Sequence, residues 1–108
     1  MDERGQFPRA RGPFEGARLA MLDIEVRIYD LSAGGCFVDS MVEARAGESV
    51  RLRIDLPDAG PIQVSGRVVP STRTLGYAVR FSAYEGDARE QLEQTVARLA
   101  FTRRSDNR

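Results

Sequence analysis

Residues 50–56 read Val-Arg-Leu-Arg-Ile-Asp-Leu, so that Val50, Leu52, Ile54 and Leu56 alternate strictly with Arg51, Arg53 and Asp55. Successive side chains of an extended strand point to opposite faces, so this pattern buries its apolar half only as a β-strand with one face inward. The same period recurs on both sides of it. Ile24, Val26 and Ile28 alternate with Glu25, Arg27 and Tyr29, and Ile62, Val64 and Val68 alternate with Gln63, Ser65 and Arg67. Gly66 falls on the apolar phase of the latter run, where a bulge or a sharp bend needs no side chain. Tyr77, Val79 and Phe81 share one face of a strand spanning Leu75–Phe81, opposite Ala78 and Arg80. Ala17, Leu19 and Met21 predict a strand before Ile24, reached through a tight turn at Leu22 and Asp23, and Cys36–Ser40 predicts a short strand after Gly34 and Gly35. Turns are marked by Pro57-Asp58-Ala59-Gly60-Pro61 and by Pro70–Thr74, where Pro presets one backbone angle and Gly permits the reversed one.

After Tyr84 the period changes. Asp87 followed three positions later by Glu90 reads as a helix start, with the Asp side chain capping free N–H groups and the Glu reaching back. Ala88, Leu92, Val96, Leu99 and Ala100 then form one helical stripe, which either packs on the core or offers a face to a partner. Six short strands closed by one amphipathic helix make a mainly β domain, a small antiparallel barrel or sandwich with a C-terminal helix. A chain of 108 residues holds one such domain. The expected organisation is a flexible arginine-containing arm over residues 1–13, a barrel plus helix over 14–102 and a disordered tail over 103–108.

Composition then removes most catalytic chemistry. There is no His and one Cys, so a His triad, a His-ligated zinc, a disulfide framework or a CxxC redox pair cannot be assembled within the chain. Cys36, with no basic partner of the imidazole type, reads as a small buried thiol. The expectation is a protein that is not an enzyme and carries no metal or cofactor. The charged start Met-Asp-Glu-Arg-Gly-Gln-Phe lacks the apolar stretch of a secretory signal, and no apolar run is long enough for a membrane span, so a cytoplasmic location without membrane insertion is expected. Sixteen basic residues balance sixteen acidic ones, which argues against DNA or RNA as partners through bulk charge. All of the basic residues are Arg. A genome rich in G and C gives that bias without functional meaning, and so does a need for forked, stacking cations.

Two elements could carry a ligand. Asp30 stands on the parity of Ile24, Val26 and Ile28, which places a carboxylate at the end of the inward row. Two residues on, Ser32 projects to the same side of an extended chain, with Gly34 and Gly35 behind it letting a ligand or another backbone come close. The pair suits the polar edge of a planar ligand, such as the two N–H groups of a guanine, and it equally suits side chains that bond the backbone of an ordinary turn. The second element is the arm, where Arg4, Arg9 and Arg11 surround Phe7-Pro8. Their forks suit phosphates and the O6/N7 edge of guanine, although a solvated tail would look the same.

In this order and spacing the chain resembles the PilZ domain, the bacterial receptor module for cyclic di-GMP. Members of that family carry an RxxxR arm, a [D/N]xSxxG motif leaving the second strand, a later GxGVxF strand, and a six-stranded barrel with a C-terminal helix. Here Asp30-Leu31-Ser32-Ala33-Gly34-Gly35 is an intact second motif, and Gly76-Tyr77-Ala78-Val79-Arg80-Phe81 is the later strand with Ala78 in place of the second Gly. The arm departs from the pattern. With the second family arginine at Arg9, the first falls on Gly5, and the nearest arginine is Arg4, one residue early.

The resemblance implies a non-catalytic receptor in which Asp30 and Ser32 hold one guanine edge while Arg9, with Arg4 or Arg11, grips phosphate and the second guanine. Gly34 and Gly35 let the ligand approach. Binding would order the arm and signal to an unidentified effector protein, from a monomer or a weak homodimer. A degenerate member that has lost nucleotide binding, and serves as an adaptor in type IV pilus, flagellar or exopolysaccharide machinery, is the alternative.

Overall fold

The computed structural model describes residues 8–106. In chain order its elements are β1 (Phe14–Leu19), β2 (Ile24–Ser32), β3 (Gly35–Asp39), β4 (Ser49–Leu56), β5 (Gly60–Val69), β6 (Gly76–Tyr84) and α1 (Ala88–Asp106). The strands close into an antiparallel barrel in the order β1-β2-β3-β6-β5-β4, so no sheet edge is left unpaired. β4 is the strand whose sequence alternates most cleanly, and it pairs with β1 on one side and β5 on the other. Leu52 sits opposite Val64 and Ile54 opposite Ile62. Both β4 residues are fully buried, each burial stabilising the fold by about 1.5–3 kcal/mol.

Gly66 is where the sequence places the barrel's bend. The β5–β6 register shifts between Ser65 and Gly66, and a Cβ on Gly66 would run into the Arg80 carbonyl and the Val79 side chain. The bend therefore depends on the missing side chain.

β1 departs from expectation. It ends at Leu19, while Met21 and Leu22 lie exposed in the turn to β2. Its register sets Phe14 opposite Ile28, Gly16 opposite Val26 and Arg18 opposite Ile24, so Gly16 and Arg18, not Leu19 and Met21, continue the inward row. Arg18 is accommodated at that end of the barrel because its guanidinium pairs with Glu48 at 2.6 Å and lies over the Tyr77 ring, 5.9 Å from the centroid. β6 likewise differs at its start. Leu75 stays outside the strand, exposed, with a φ of 62°.

The helix stripe is core. Ala88, Leu92 and Val96 are buried, joined by Thr95, and Leu99 packs against the same cluster. Leu92 and Val96 share that cluster with Phe14, Ile28 and Leu31, so α1 packs its apolar stripe against the barrel. The helix opens with Gln91 N–H donating to the Asp87 carbonyl at 3.0 Å. The reciprocal side-chain cap expected from Asp87 and Glu90 is not among the hydrogen bonds of the described residues. α1 continues to Asp106, so the stretch expected as a tail from residue 103 begins inside the helix. No helix of the described residues is long and apolar enough to cross a membrane.

Candidate functional site

The site is built around an irregularity at the end of β2. Between Tyr29 and Ser32 the β2–β3 register shifts, and Asp30 adopts a φ of 51°, a left-handed conformation that Asp tolerates better than most residues. One displaced residue reverses every later side chain. Leu31 therefore turns into the core, fully buried, and Asp30 turns out with 42% of its side chain exposed. This corrects the expectation that Asp30 closes the inward row. The inward position belongs to Leu31, and the carboxylate is on the outer surface, where it avoids the desolvation that burial would impose.

Ser32 does not converge with Asp30 on a common point outside. It is buried, its hydroxyl accepting from the Gly34 N–H at 3.2 Å and donating to the Gly35 carbonyl at 3.3 Å. Its work is to shape the turn. Gly34 is open, with nothing near the place a Cβ would occupy, whereas a Cβ on Gly35 would strike the Val79 carbonyl oxygen. Gly34 thus leaves room at the surface and Gly35 lets β3 pack on β6. The turn is fastened from behind by Phe81 N–H to the Gly34 carbonyl at 2.9 Å and by Tyr84 O–H to the Ala33 carbonyl at 2.6 Å. Burial raises the Tyr84 phenol above its ordinary range, with the nearby Arg89 charge acting the other way, so the hydroxyl stays a donor at neutral pH.

The bulge also receives the N-terminal segment. Ala10 N–H donates to the Leu31 carbonyl and Leu31 N–H to the Ala10 carbonyl, both at 2.8 Å, and Asp30 N–H donates to the Arg11 carbonyl at 3.0 Å. Ala10 is buried in the core cluster. The arm expected to be flexible through residue 13 is therefore tied to the barrel at Ala10 and Arg11. Because neighbours along an extended segment face opposite ways, burying Ala10 turns Arg9 and Arg11 outward, and both are exposed beside the Asp30 bulge. Arg4 lies outside the described residues, as do Gly5 and Phe7.

Sequence reasoning missed a layer on this surface. Phe37 occupies the outward phase of β3 between the inward Cys36 and Val38, yet is only 5% exposed, since Arg73 covers it with its guanidinium 3.9 Å from the ring centroid. The same guanidinium is ion-paired with the Asp30 carboxylate. An aromatic residue at an outward position was the available signal that something must cover it. Arg80, cross-strand from Gly35, is exposed as well, so exposed Arg9 and Arg11 flank the bulge on the N-terminal segment, Arg80 stands beside the turn on β6, and Arg73 alone is paired with the Asp30 carboxylate among the described residues.

Cys36 has no part in this. It is buried, and desolvation pushes its thiol far above the ordinary range.

Compared with known proteins, the model of the PilZ domain family matches residues 7–98. The chain belongs to the PilZ domain family. The motif Asp30–Gly35 is thus the PilZ turn leaving β2, and its Ser and second Gly hold that turn by the bonds and close approach described above. Two solved structures share the fold. The Bacillus subtilis inhibitor of motility (MotI/DgrA) aligns with a TM-score of 0.77 at 22% identity over 92% of this chain, which spans about half (52%) of that protein. The PilZ domain with c-di-GMP of YcgR from Escherichia coli aligns with a TM-score of 0.58 at 15% identity, covering 95% of this chain and 93% of that one. No curated protein sequence matches the chain.

Proposed function

We propose that this PilZ domain is a receptor for cyclic di-GMP that carries the signal to a protein partner and catalyses no reaction. The observation that carries the reading is the Ala10–Leu31 bridge, which sets Arg9 and Arg11 beside an outward Asp30. A carboxylate on an open surface accepts the two parallel N–H groups of a guanine edge, and arginine forks on the same surface suit phosphate oxygens and the O6/N7 edge of the other base. Gly34 leaves the approach unobstructed. Ser32 contributes by fixing the turn, so its role is positional. The E. coli neighbour, with a similar fold, is named with this ligand. Ligand capture by Arg9 and Arg11 would draw the chain preceding Ala10, including Arg4, over the site and change the surface a partner meets.

The test is isothermal titration calorimetry of the 108-residue chain with cyclic di-GMP, with GTP as control. Saturable binding absent for GTP, and lost in Asp30→Ala with an unchanged circular dichroism spectrum, is the expected result. Binding that survives Asp30→Ala would refute the pose. A second reading, a PilZ adaptor that acts through protein contacts without nucleotide, is favoured by the arm spacing, in which Gly5 stands where the first family arginine is expected. It predicts no heat with cyclic di-GMP.

A further inference from the structure

The Asp30 carboxylate already has a partner. Arg73, in the segment joining β5 to β6, lies over the Phe37 ring and donates to Asp30. A guanidinium is planar and offers parallel N–H donors, the same hydrogen-bonding face that the proposed guanine edge would present, and an aromatic ring beneath it adds a stacking contact. We propose that Arg73 is a resident competitor for Asp30, and that ligand entry displaces it and frees the segment 70–75. The proposal rests on the receptor reading above.

What makes displacement consequential is how little else holds that segment. Ser71, Thr72, Arg73, Thr74 and Leu75 are all exposed. Among the described residues, the only other side-chain hydrogen bond of the segment is internal, Arg73 N–H to Ser71 Oγ at 3.1 Å. The Arg73 head group is thus the tie between this segment and β2. Beyond it Leu75 is held in the left-handed region and is 79% exposed, a conformation costly for a branched apolar residue. Leu75 lies beside Gly76, which is cross-strand from Asp39, and Met41 follows two residues after Asp39 with its side chain 97% exposed. Displacing Arg73 would therefore release a segment that carries the exposed Leu75 side chain next to the Asp39 end of β3, away from the ligand.

The size of the effect follows from the contacts. The ion pair is about half exposed on both sides, and an exposed pair together with one cation–π contact is worth roughly a three- to thirtyfold factor in a competing equilibrium. The experiment compares the intact chain with Arg73→Gln, which keeps most of the bulk and removes the charge. Without ligand, hydrogen–deuterium exchange should rise across 71–75 in Arg73→Gln, and unchanged exchange there would overturn the tie.

With cyclic di-GMP, Arg73→Gln should bind about three- to thirtyfold more tightly than the native chain, and the ligand should raise exchange across 71–75 in the native chain only. Equal or weaker binding by Arg73→Gln overturns the competitor while leaving the receptor reading intact. Binding by neither protein overturns both. Binding by Arg73→Gln alone supports both in their strongest form.

Discussion

Replacing Ala10 with Glu tests whether the segment before β1 is a docked strap. Ala10 is 4% exposed, and its N–H and carbonyl make 2.8 Å bonds to Leu31, with a third bond running from Asp30 N–H to the Arg11 carbonyl. Three backbone bonds at about 0.5–1.5 kcal/mol each sum to at most about 4.5 kcal/mol, and the entropy of ordering the segment, about 1–2 kcal/mol per residue, offsets much of that, so docking stabilises the chain by no more than about 2 kcal/mol. A buried carboxylate without a partner would exceed that, so the segment should undock and the barrel should survive. The loss is capped at the docking free energy, which for a domain of this size lowers the melting temperature by about 10 °C. If docking is what presents Arg9 and Arg11 to the ligand, cyclic di-GMP affinity should fall by up to about thirtyfold, since 1.4 kcal/mol is a factor of ten. Thermal unfolding followed by circular dichroism, with calorimetric titration of the same variant, measures both quantities. Unchanged melting with unchanged affinity would refute the strap. Complete unfolding would show that Ala10 belongs to the cooperative core and is not a separable tie.

Other outcomes follow from the core and its charges. Leu52→Ala, at a fully buried position of β4, should reduce the free energy of unfolding in urea by about 2–5 kcal/mol, and a loss under 1 kcal/mol would contradict the tight barrel interior. Glu48 is held below its ordinary carboxylate value, first by the Arg45 N–H and then by the Arg18 guanidinium. A lowered folded-state value means that this carboxylate stabilises the fold above its unfolded pKa, and that the contribution disappears as pH falls through the folded value. Melting temperatures measured from pH 7 down to about pH 3 should therefore decline less steeply in Glu48→Gln than in the native chain; parallel curves would refute the pairing. Cys36, buried with its thiol pushed up by desolvation, should resist iodoacetamide in the native state at pH 8 and react readily in denaturant. Rapid native alkylation would contradict its burial.

The strands were legible because their period survives in sequence. Val50–Leu56 and Ile62–Val68 bury the residues their alternation names, and Gly66 marks its own bend because only an absent side chain fits against the Arg80 carbonyl. β1 was misread for a physical reason. Its inward row contains Gly16, where a side chain would meet the Arg53 carbonyl, and Arg18, whose partners Glu48 and Tyr77 lie far along the chain. Neither looks apolar. The bulge at Asp30 left one trace, the apolar Leu31 standing a step out of phase with Ile24, Val26 and Ile28, and that single step moves the carboxylate from the interior to the surface. The motif fixed which residues form the turn but not their division of labour, with Asp30 turned outward onto Arg73 and Ser32 spent on the backbone of Gly34 and Gly35. Arg73 was invisible for a different reason, since it meets Asp30 across 43 positions of sequence, a distance over which no local pattern operates.

The central claim is that one surface, where the arm bridges the β2 bulge, receives the nucleotide. Amide chemical shifts of the isotope-labelled chain, followed by NMR during titration with cyclic di-GMP, test it most directly. The predicted perturbations fall on Arg9, Arg11, Asp30, Ser32, Gly34 and Gly35, with little change along the middle of β4 at Leu52 and Ile54. Shifts centred elsewhere on the barrel, or a spectrum that saturating ligand leaves unchanged, would contradict it.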